Sequence, residues 1–324
     1  MKDYGQLFEN QLESWPLASE NYLKLAGILT RDFLIDGTHI KVQFNPNRIT
    51  SSSAVVTNNA INQRPCFLCA KNRPLEQIEL VFNTQRTTSN TDIDDLFTIL
   101  VNPFPVFPRH FTIAGSHKPQ TISGNIGSML QLTKKFDDCV VFYNGPKCGA
   151  SAPDHIHFQS GNKGVMSLET DLCNCKELKT SILTNKEDIC IYILRDFLRG
   201  GWLLEGTDQI KLELALLKII QTLEGTDNHN DSEPMLNILS WFENGKWIIA
   251  VFPRKTHRPS CYFLDNEDKY LISPASVEMG GLIVAARRED FDRINENVIK
   301  QIYNEVTLSD LEISKISEQL IKIL

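Results

Sequence analysis

Residues 148–161, CGASAPDHIHFQSG, set two histidines and a glutamine at every second position: His155, His157 and Gln159. Side chains of an extended strand alternate between its two faces. The spacing therefore predicts a strand with His155, His157 and Gln159 in one ligand-facing row and Ile156 and Phe158 turned to a core. An imidazole is a nucleophile when its attacking nitrogen is unprotonated and its other nitrogen donates to a fixed acceptor. His157 is the candidate. Gln159 cannot act as acid or base, but its amide can donate to an oxygen that gains charge in a transition state. A nucleophile beside a neutral donor suits attack on phosphorus. Just upstream, GPKCGASAP holds glycines, Gly149 among them, that let backbone N–H groups approach phosphate oxygens.

A second set of reactive groups lies in RPCFLCAKNRP, where Cys66 and Cys69 stand at C-x-x-C spacing. Two such thiolates can share one tetrahedral zinc if two further ligands come from elsewhere. The alternative is a pair of small buried apolar residues. Cys173 and Cys175 are too close for a common zinc pair and have no partner pair nearby. Cys148 has no evident adjacent base, so a cysteine mechanism is not expected.

These groups need elements to hold them. THIKVQFNPNRITSS (38–52) reads as a strand with a turn at Asn45-Pro46-Asn47, and 96–116 as two strands around a proline-interrupted turn. Ile126, Met129, Leu130, Leu132 and Phe136 recur at helical spacing, followed by the buried strand CVVFYNG. The polar stretch 160–187 reads as a connection. Beyond it, ICIYILRD is a strand and 207–227 a helix with Thr207 and Asp208 as capping candidates. Two apolar runs around Asn244-Gly245 give a hairpin. Residues 279–306 read as a short strand running into a helix, and the last residues as an amphipathic helix. Val-Phe-Pro-Arg occurs at 106–109 and again at 251–254. With the matching order of elements, the repeat predicts a duplicated α+β unit.

Composition narrows the setting. The 324 residues suffice for two domains, and 42% hydrophobic with 23% charged residues is globular usage. A net charge of −7 gives no basic face for nucleic acid. No apolar run approaches the ~20 residues of a membrane helix. The amphipathic N-terminus lacks the apolar centre of an export signal. A cytoplasmic protein with reduced or metal-bound cysteines is the expectation.

VVFYNGPKCGASAPDHIHFQ (140–159) resembles the active-site segment of the histidine-triad superfamily on its transferase branch. That branch carries His-x-His-x-Gln where the hydrolase branch has a third histidine. The resemblance to galactose-1-phosphate uridylyltransferases implies that His157 takes a nucleoside monophosphate covalently and that Gln159 steadies its phosphate, with Asn144 and Ser151 nearby. Asp154 and Ile156 stand where that family has prolines, and Ser151 lies one position further from His155. NPFPVFPRHFTIAGSHKPQTIS (102–123) resembles the same superfamily and implies Asn102 and Phe104 at the base or ribose; for Asn102 the alternative is a turn asparagine before proline. The same likeness completes the cysteine pair with His117 and His155 as a structural zinc site, with His110 and Asp154 as competing ligands. GKWIIAVFPRKTHRP and SPASVEMGGLIVAARREDF resemble C-terminal parts of the GDP-L-galactose phosphorylases and diadenosine tetraphosphate phosphorylases. Both families split a nucleotide anhydride with inorganic phosphate. Lys147, Arg254, His257 and Arg258 are then either anion contacts or solvated surface charges, and Met279-Gly280-Gly281 is a site of close strand packing.

The expectation is an α+β protein of two histidine-triad-like halves, antiparallel sheets with flanking helices. Residues 1–165 form the catalytic half and 186–324 the second. The expected activity is nucleotidyl transfer or phosphorolysis on a nucleoside diphosphate sugar or dinucleoside polyphosphate, with phosphate or a sugar-phosphate as acceptor. No nucleic acid and no membrane partner is expected. The rivals are a nucleotide hydrolase, which Gln159 argues against, and a non-catalytic nucleotide-binding module, which the complete His-x-His-x-Gln row argues against.

Overall fold

The structure is a computed structural model that describes residues 3–53, 61, 63–84, 96–186, 188–226 and 233–324. Helices α1 (Asp3–Ser14) and α2 (Pro16–Ala26) open the chain, followed by a hairpin of β1 (Thr30–Ile35) and β2 (Thr38–Phe44). Asp36 and Gly37, at φ 49° and 71°, form its turn. The first half continues with β3 (Glu79–Asn83), β4 (Leu96–Val101), β5 (His110–Ala114), helix α3 (Ile126–Lys135), β6 (Cys139–Asn144) and β7 (His157–Asn162). After α4 (Ser167–Lys179), the second half runs β8 (Thr180–Lys186), β9 (Ile189–Leu194), β10 (Gly201–Gly206), helix α5 (Gln209–Thr226), β11 (Leu236–Glu243) and β12 (Lys246–Pro253). The chain closes with the short helix α6 (Ser276–Met279), β13 (Leu282–Ala285), α7 (Arg288–Arg293), α8 (Glu296–Val306) and α9 (Asp310–Leu320).

Ten of these strands form one antiparallel sheet in the order β3-β4-β5-β7-β6-β11-β12-β10-β9-β8. Each half is three strands, a helix and two more strands. The two halves meet back to back where β6 pairs with β11, Asn144 opposite Asn237. The duplicated α+β unit expected from sequence is thus present, and the fold class is as expected. The Val-Phe-Pro-Arg repeat is not its signature. The first copy lies in the turn before β5, the third strand of its half; the second closes β12, the fifth strand of the other.

Both faces of the sheet are covered, which explains the unbroken apolar run in β6, where every residue is buried. Val141 and Tyr143 face a core made with α1, α3, α5 and α9, through Tyr4, Met129, Leu216 and Ile313. Val140 and Phe142 face the opposite core with Val42, Ile283, Ile302 and Tyr303. That second core sits under a three-stranded sheet, β1-β2-β13, in which β2 runs parallel to β13. The opening strands of the chain are therefore bonded to a strand of its last fifty residues.

Two readings of the sequence are corrected. The stretch 160–187 is not a plain connection but contains α4 and the edge strand β8. Its polarity hid them, because α4 lacks a wide apolar stripe and an edge strand need not alternate cleanly. Residues 286–306 hold two helices rather than one. Asn295 separates them and caps α8, its side chain accepting from the backbone of Asn297 and Val298. The hairpin at Asn244-Gly245, φ 51° and 80°, and the cap of α5 by Asp208, which accepts from the Lys211 backbone at 3.0 Å, are as expected.

Close packing beside the candidate catalytic strand gives a test. A Cβ on Gly161 would lie 2.3 Å from the ring of fully buried Phe107. Gly161→Ala is expected to lower stability by about 1–3 kcal/mol, measured as a shift in the urea midpoint with an unchanged slope.

Candidate active site

β7 starts at His157, not at His155, and this separates the three side chains of the row. Phe158 enters the helix-side core, so His157 and Gln159 point to the opposite face and line a cavity of about 580 Å³. His155 does not line it. Its backbone is still in the turn, and its ring is directed to the two cysteines. The predicted ligand-facing row therefore holds two of its three members.

Backbone bonds fix the start of the strand. The Oε1 of Gln120 accepts from the His157 backbone N–H at 2.8 Å, and its Nε2 donates to the carbonyls of His157 and Asn144, both at 3.0 Å. The His157 ring donates from Nδ1 to the carbonyl of His155 at 2.8 Å. That bond sets the tautomer, leaving Nε2 as the nitrogen with a lone pair, and Nε2 has no protein partner among the described residues. Burial, the largest influence, pushes this imidazole down to about 4, so it is neutral at physiological pH.

Gln159 is oriented by a residue not assigned this role from sequence. His110 accepts at Nδ1 from the backbone N–H of Val106 at 3.2 Å. Its proton is therefore on Nε2, which donates to Gln159 Oε1 at 2.9 Å. The carbonyl of the glutamine is consumed, and its NH₂ is the end available to a ligand. Burial, with Arg48 nearby, holds His110 down at about 3 and keeps it neutral. His110 is thus the buried, bonded histidine rather than a metal ligand.

The remaining first-half candidates also line the cavity: Asn102, Phe104, Asn144, Gly149 and Ser151. Asn102 works largely within its own turn, accepting from the Phe104 N–H at 2.9 Å and donating to Thr112 Oγ1 at 3.1 Å. Asn144 is buried, and its Oδ1 accepts from Asn237 Nδ2 at 3.1 Å and from the Ser276 N–H at 2.8 Å. Gly149 adopts φ 109° against Ala275, where a Cβ would come within 2.4 Å of the alanine Cβ. Glycine is required there by both conformation and space.

The second half closes the site. Arg254 is buried, not a solvated charge and not an anion contact. It donates to Asn237 Oδ1 at 2.6 Å and to the carbonyls of Val306, Pro274, Thr256 and His257 at 3.0–3.1 Å. Through Asn237 it ties the C-terminal segments to Asn144. His257, Arg258, Ser273, Ala275, Val277 and Glu278 then complete the cavity wall. Among the described residues, the cavity lining carries Arg48, Arg258 and Arg64, the last paired with Asp154, and the carboxyl of Glu278, whose burial pushes it up to about 7. In a chain of net charge −7, this is a local cationic lining that suits an anion.

Cys66, Cys69, His117 and His155 converge, with one ligand atom from each lying within 4.8 Å of the others. Cys66 Sγ is 3.3 Å and Cys69 Sγ 3.7 Å from His155 Nδ1, and Cys69 Sγ is 3.1 Å from His117 Nδ1. A tetrahedral ion with zinc–sulfur and zinc–nitrogen bond lengths has S···N edges of about 3.5 Å. The group can hold a metal ion. His155 Nε2 bonds the carbonyl of Gly115 at 2.9 Å, the outer contact that orients a ligating imidazole. Asp154 is turned away, paired with Arg64 at 2.9 Å. Cys148 is buried against the carbonyl of Leu236 and pushed up to about 11, which makes it inert as a nucleophile.

Sequence reasoning missed Gln120, Asn237, Ser276 and Arg48. Gln120 and Ser276 lie within segments that carry the resemblance, but each acts, like Asn237 and Arg48, on partners distant in the chain, so no local spacing announces its role.

Topology and site together define a two-half histidine-triad-like fold. The chain carries, over residues 175–324, a match to the family model described as GDPGP1-like, C-terminal domain, and over residues 7–162 a match to a domain of unknown function (DUF4922). Among solved structures, the yeast Ap4A phosphorylase Apa2 is similar at 19% identity, covering 95% of this chain and 95% of its own, with a TM-score of 0.53. A DUF4931 family protein from Bacillus cereus is 15% identical over 72% of this chain and 97% of its own, with a TM-score of 0.41. A comparison with curated proteins gives no match. Residues 175–324 thus match a GDPGP1-like C-terminal domain, and the likeness to the solved phosphorylase shows a shared fold.

Glu233 supports the end of β6 from the second half, accepting from Tyr143 Oη at 2.5 Å and from the Ile122 N–H at 2.6 Å. Burial pushes its carboxyl from 4.5 up to about 8. The folded state therefore keeps a proton that the unfolded chain has lost. The contribution is fully present below about 4.5 and is lost as pH rises through about 8. Glu233→Gln should flatten this fall in stability, checked by urea unfolding at several pH values across that window.

Proposed function

We propose that this chain is a nucleotidyl-transferring phosphorylase that works through a nucleotidyl-histidine. One observation carries the reading: His157 is buried, neutral and held through Nδ1, with Nε2 at the cavity beside the NH₂ of Gln159. His157 Nε2 attacks the α-phosphorus of a nucleoside diphosphate sugar or dinucleoside polyphosphate. A phosphate-bearing leaving group departs, and phosphate or a sugar-phosphate then takes the nucleotide from the histidine. Splitting one displacement into two lowers each barrier. Gln159 donates to the phosphoryl oxygen as charge builds, and the fixed Nδ1–H bond stabilises the substituted ring without moving a proton. Asn102, Phe104, Asn144, Gly149 and Ser151 contact the nucleotide. The GDPGP1-like domain match and the likeness to an Ap4A phosphorylase support phosphorolysis over hydrolysis.

Zinc is the proposed occupant of Cys66, Cys69, His117 and His155. Its role is structural, since four protein ligands leave no open position. It fixes His155, whose carbonyl holds the His157 ring. The proposed division is a catalytic half at 1–165 and a second half at 186–324. A cytoplasmic location fits, and among the described residues no helix is long and apolar enough to cross a membrane.

Two measurements test this reading. Incubation with nucleotides labelled at the α-phosphate should leave label on the wild type and none on His157→Ala; near-native turnover by that variant would remove the mechanism. Gln159→Ala should label more slowly, by about 2.7–4 kcal/mol in the barrier if it resembles a lost oxyanion donor. Elemental analysis of protein purified without chelators should give about one zinc per chain. The ratio should fall together with thermal stability in Cys66→Ala and His155→Ala.

A further inference from the structure

The second half has no His-x-His-x-Gln. At the end of the β11–β12 pair that corresponds to the catalytic end of β6–β7, it has only the tight turn Asn244-Gly245. What it offers the cavity is a polar cluster on the loops after β12. Arg258 Nε donates to Ser273 Oγ at 2.9 Å, and Ser273 Oγ lies 3.4 Å from His257 Nε2. The guanidinium of Arg258 stacks 4.2 Å from the ring centroid of Tyr262. All three polar residues line the same cavity as His157 and Gln159.

We propose that Arg258, braced by Ser273 and Tyr262 beside His257, is the subsite for the phosphate group that leaves His157's substrate and for the phosphate group that replaces it. The inference rests on the nucleotidyl-His157 reading and adds to it the group that selects the acceptor. Its geometry is preset. Arg254 bonds the carbonyls of Thr256 and His257 with one nitrogen, and with another it bonds Asn237, which in turn bonds Asn144 at the end of β6. A continuous chain of hydrogen bonds thus fixes the Arg258 loop relative to β6, the neighbour of β7. The charge is suitable too. Burial and the two neighbouring arginines hold His257 down at about 4. The ring is neutral, so positive charge at the cluster resides on guanidinium, which is suited to two-pronged contact with a phosphate.

A displacement at phosphorus is in line, so the leaving group lies opposite the attacking nitrogen. The acceptor must approach the nucleotidyl-histidine along the same line. One subsite therefore serves both half-reactions. In the second, an oxygen of the phosphate dianion forms a P–O bond as the P–Nε2 bond breaks. The bonding pair returns to Nε2, the proton on Nδ1 stays in place, and a nucleoside diphosphate leaves. With a sugar-1-phosphate as acceptor, the product is a nucleoside diphosphate sugar. Water lacks the charge that Arg258 holds, so the subsite favours phosphate over hydrolysis.

The test separates the subsite from the mechanism. The full-length wild type, Arg258→Ala, Arg258→Lys and Ser273→Ala are loaded with labelled adenosine and guanosine 5′-phosphorimidazolides, whose imidazole leaving group needs no phosphate subsite. The loaded proteins are chased with inorganic phosphate, hexose-1-phosphate or buffer alone. Wild type should discharge saturably to one of the two phosphates, and which one identifies the acceptor. Arg258→Ala should need about tenfold more of it or worse, the scale of a lost charge-assisted hydrogen bond. Its ratio of phosphate to water discharge should drop accordingly, and Arg258→Lys and Ser273→Ala should fall between. Unchanged half-saturation in Arg258→Ala overturns the subsite. Wild type that takes no label counts against the nucleotidyl-His157 reading instead. Calorimetric titration of unloaded protein with inorganic phosphate then decides the subsite: binding weakened about tenfold in Arg258→Ala supports it, and equal binding overturns it.

Discussion

The hydrogen bond from His157 Nδ1 to the carbonyl of His155 constrains everything else at the site. It joins two residues two positions apart, at the point where the chain leaves a bend at His155 and enters β7. The turn sends the His155 ring to Cys66 and Cys69 while His157 enters the sheet. The candidate metal group and the candidate nucleophile are thus two ends of one short lever. Gln120 holds the same lever by the backbone, with one side chain satisfying three main-chain groups on two strands. A neutral histidine buried to this degree stays useful only if its tautomer is fixed, and these bonds fix it.

Around this lever the two halves have diverged while keeping one topology. In the first, β6 and β7 are joined by a long glycine-bearing loop that opens onto the cavity. In the second, β11 and β12 are joined by a tight hairpin that leaves no room for a ligand. The second half contributes from the other end of its strands, where β12 delivers Arg254 and the loop behind it. Because β6 and β11 are antiparallel neighbours, the start of β11 lies beside the end of β6. The pairing that joins the two halves also brings the residues after β12 to the cavity that His157 lines at the start of β7.

Much of this was legible in the sequence because it is local. The period of two in HIHFQ, the helical spacing from Ile126 to Phe136, the Asn244-Gly245 turn and the C-x-x-C pair each announce themselves within a few residues. The misses have physical reasons. The strand start at His157 depends on a ring-to-carbonyl bond that spacing does not encode. The Asp36-Gly37 turn signal was present, but β1, Thr-Arg-Asp-Phe-Leu-Ile, runs three polar residues and then three apolar ones, and without alternation it gives a weak strand pattern. Helix α4 is polar, so periodicity passed over it. Arg254 read as an anion contact or a surface charge because its acceptors, backbone carbonyls from several segments, are brought together only by the fold. The repeated Val-Phe-Pro-Arg pointed to a true duplication through residues that are not its equivalent positions.

The parallel pairing of β2 with β13 has a consequence for how the chamber is closed. Residues 282–285 complete the small sheet begun by residues 30–44, which lie far away in the chain. The neighbouring Ser276 supplies a backbone donor to Asn144, and Glu278 lines the cavity. Without that pairing β7 keeps its partners β5 and β6, but the chamber beside it is open on one side. Contacts of such long sequence separation form late and close large loops. The wall at Glu278 therefore depends on a contact between two segments far apart in the chain, and a change that frees β2 from β13 loosens the chamber at that wall.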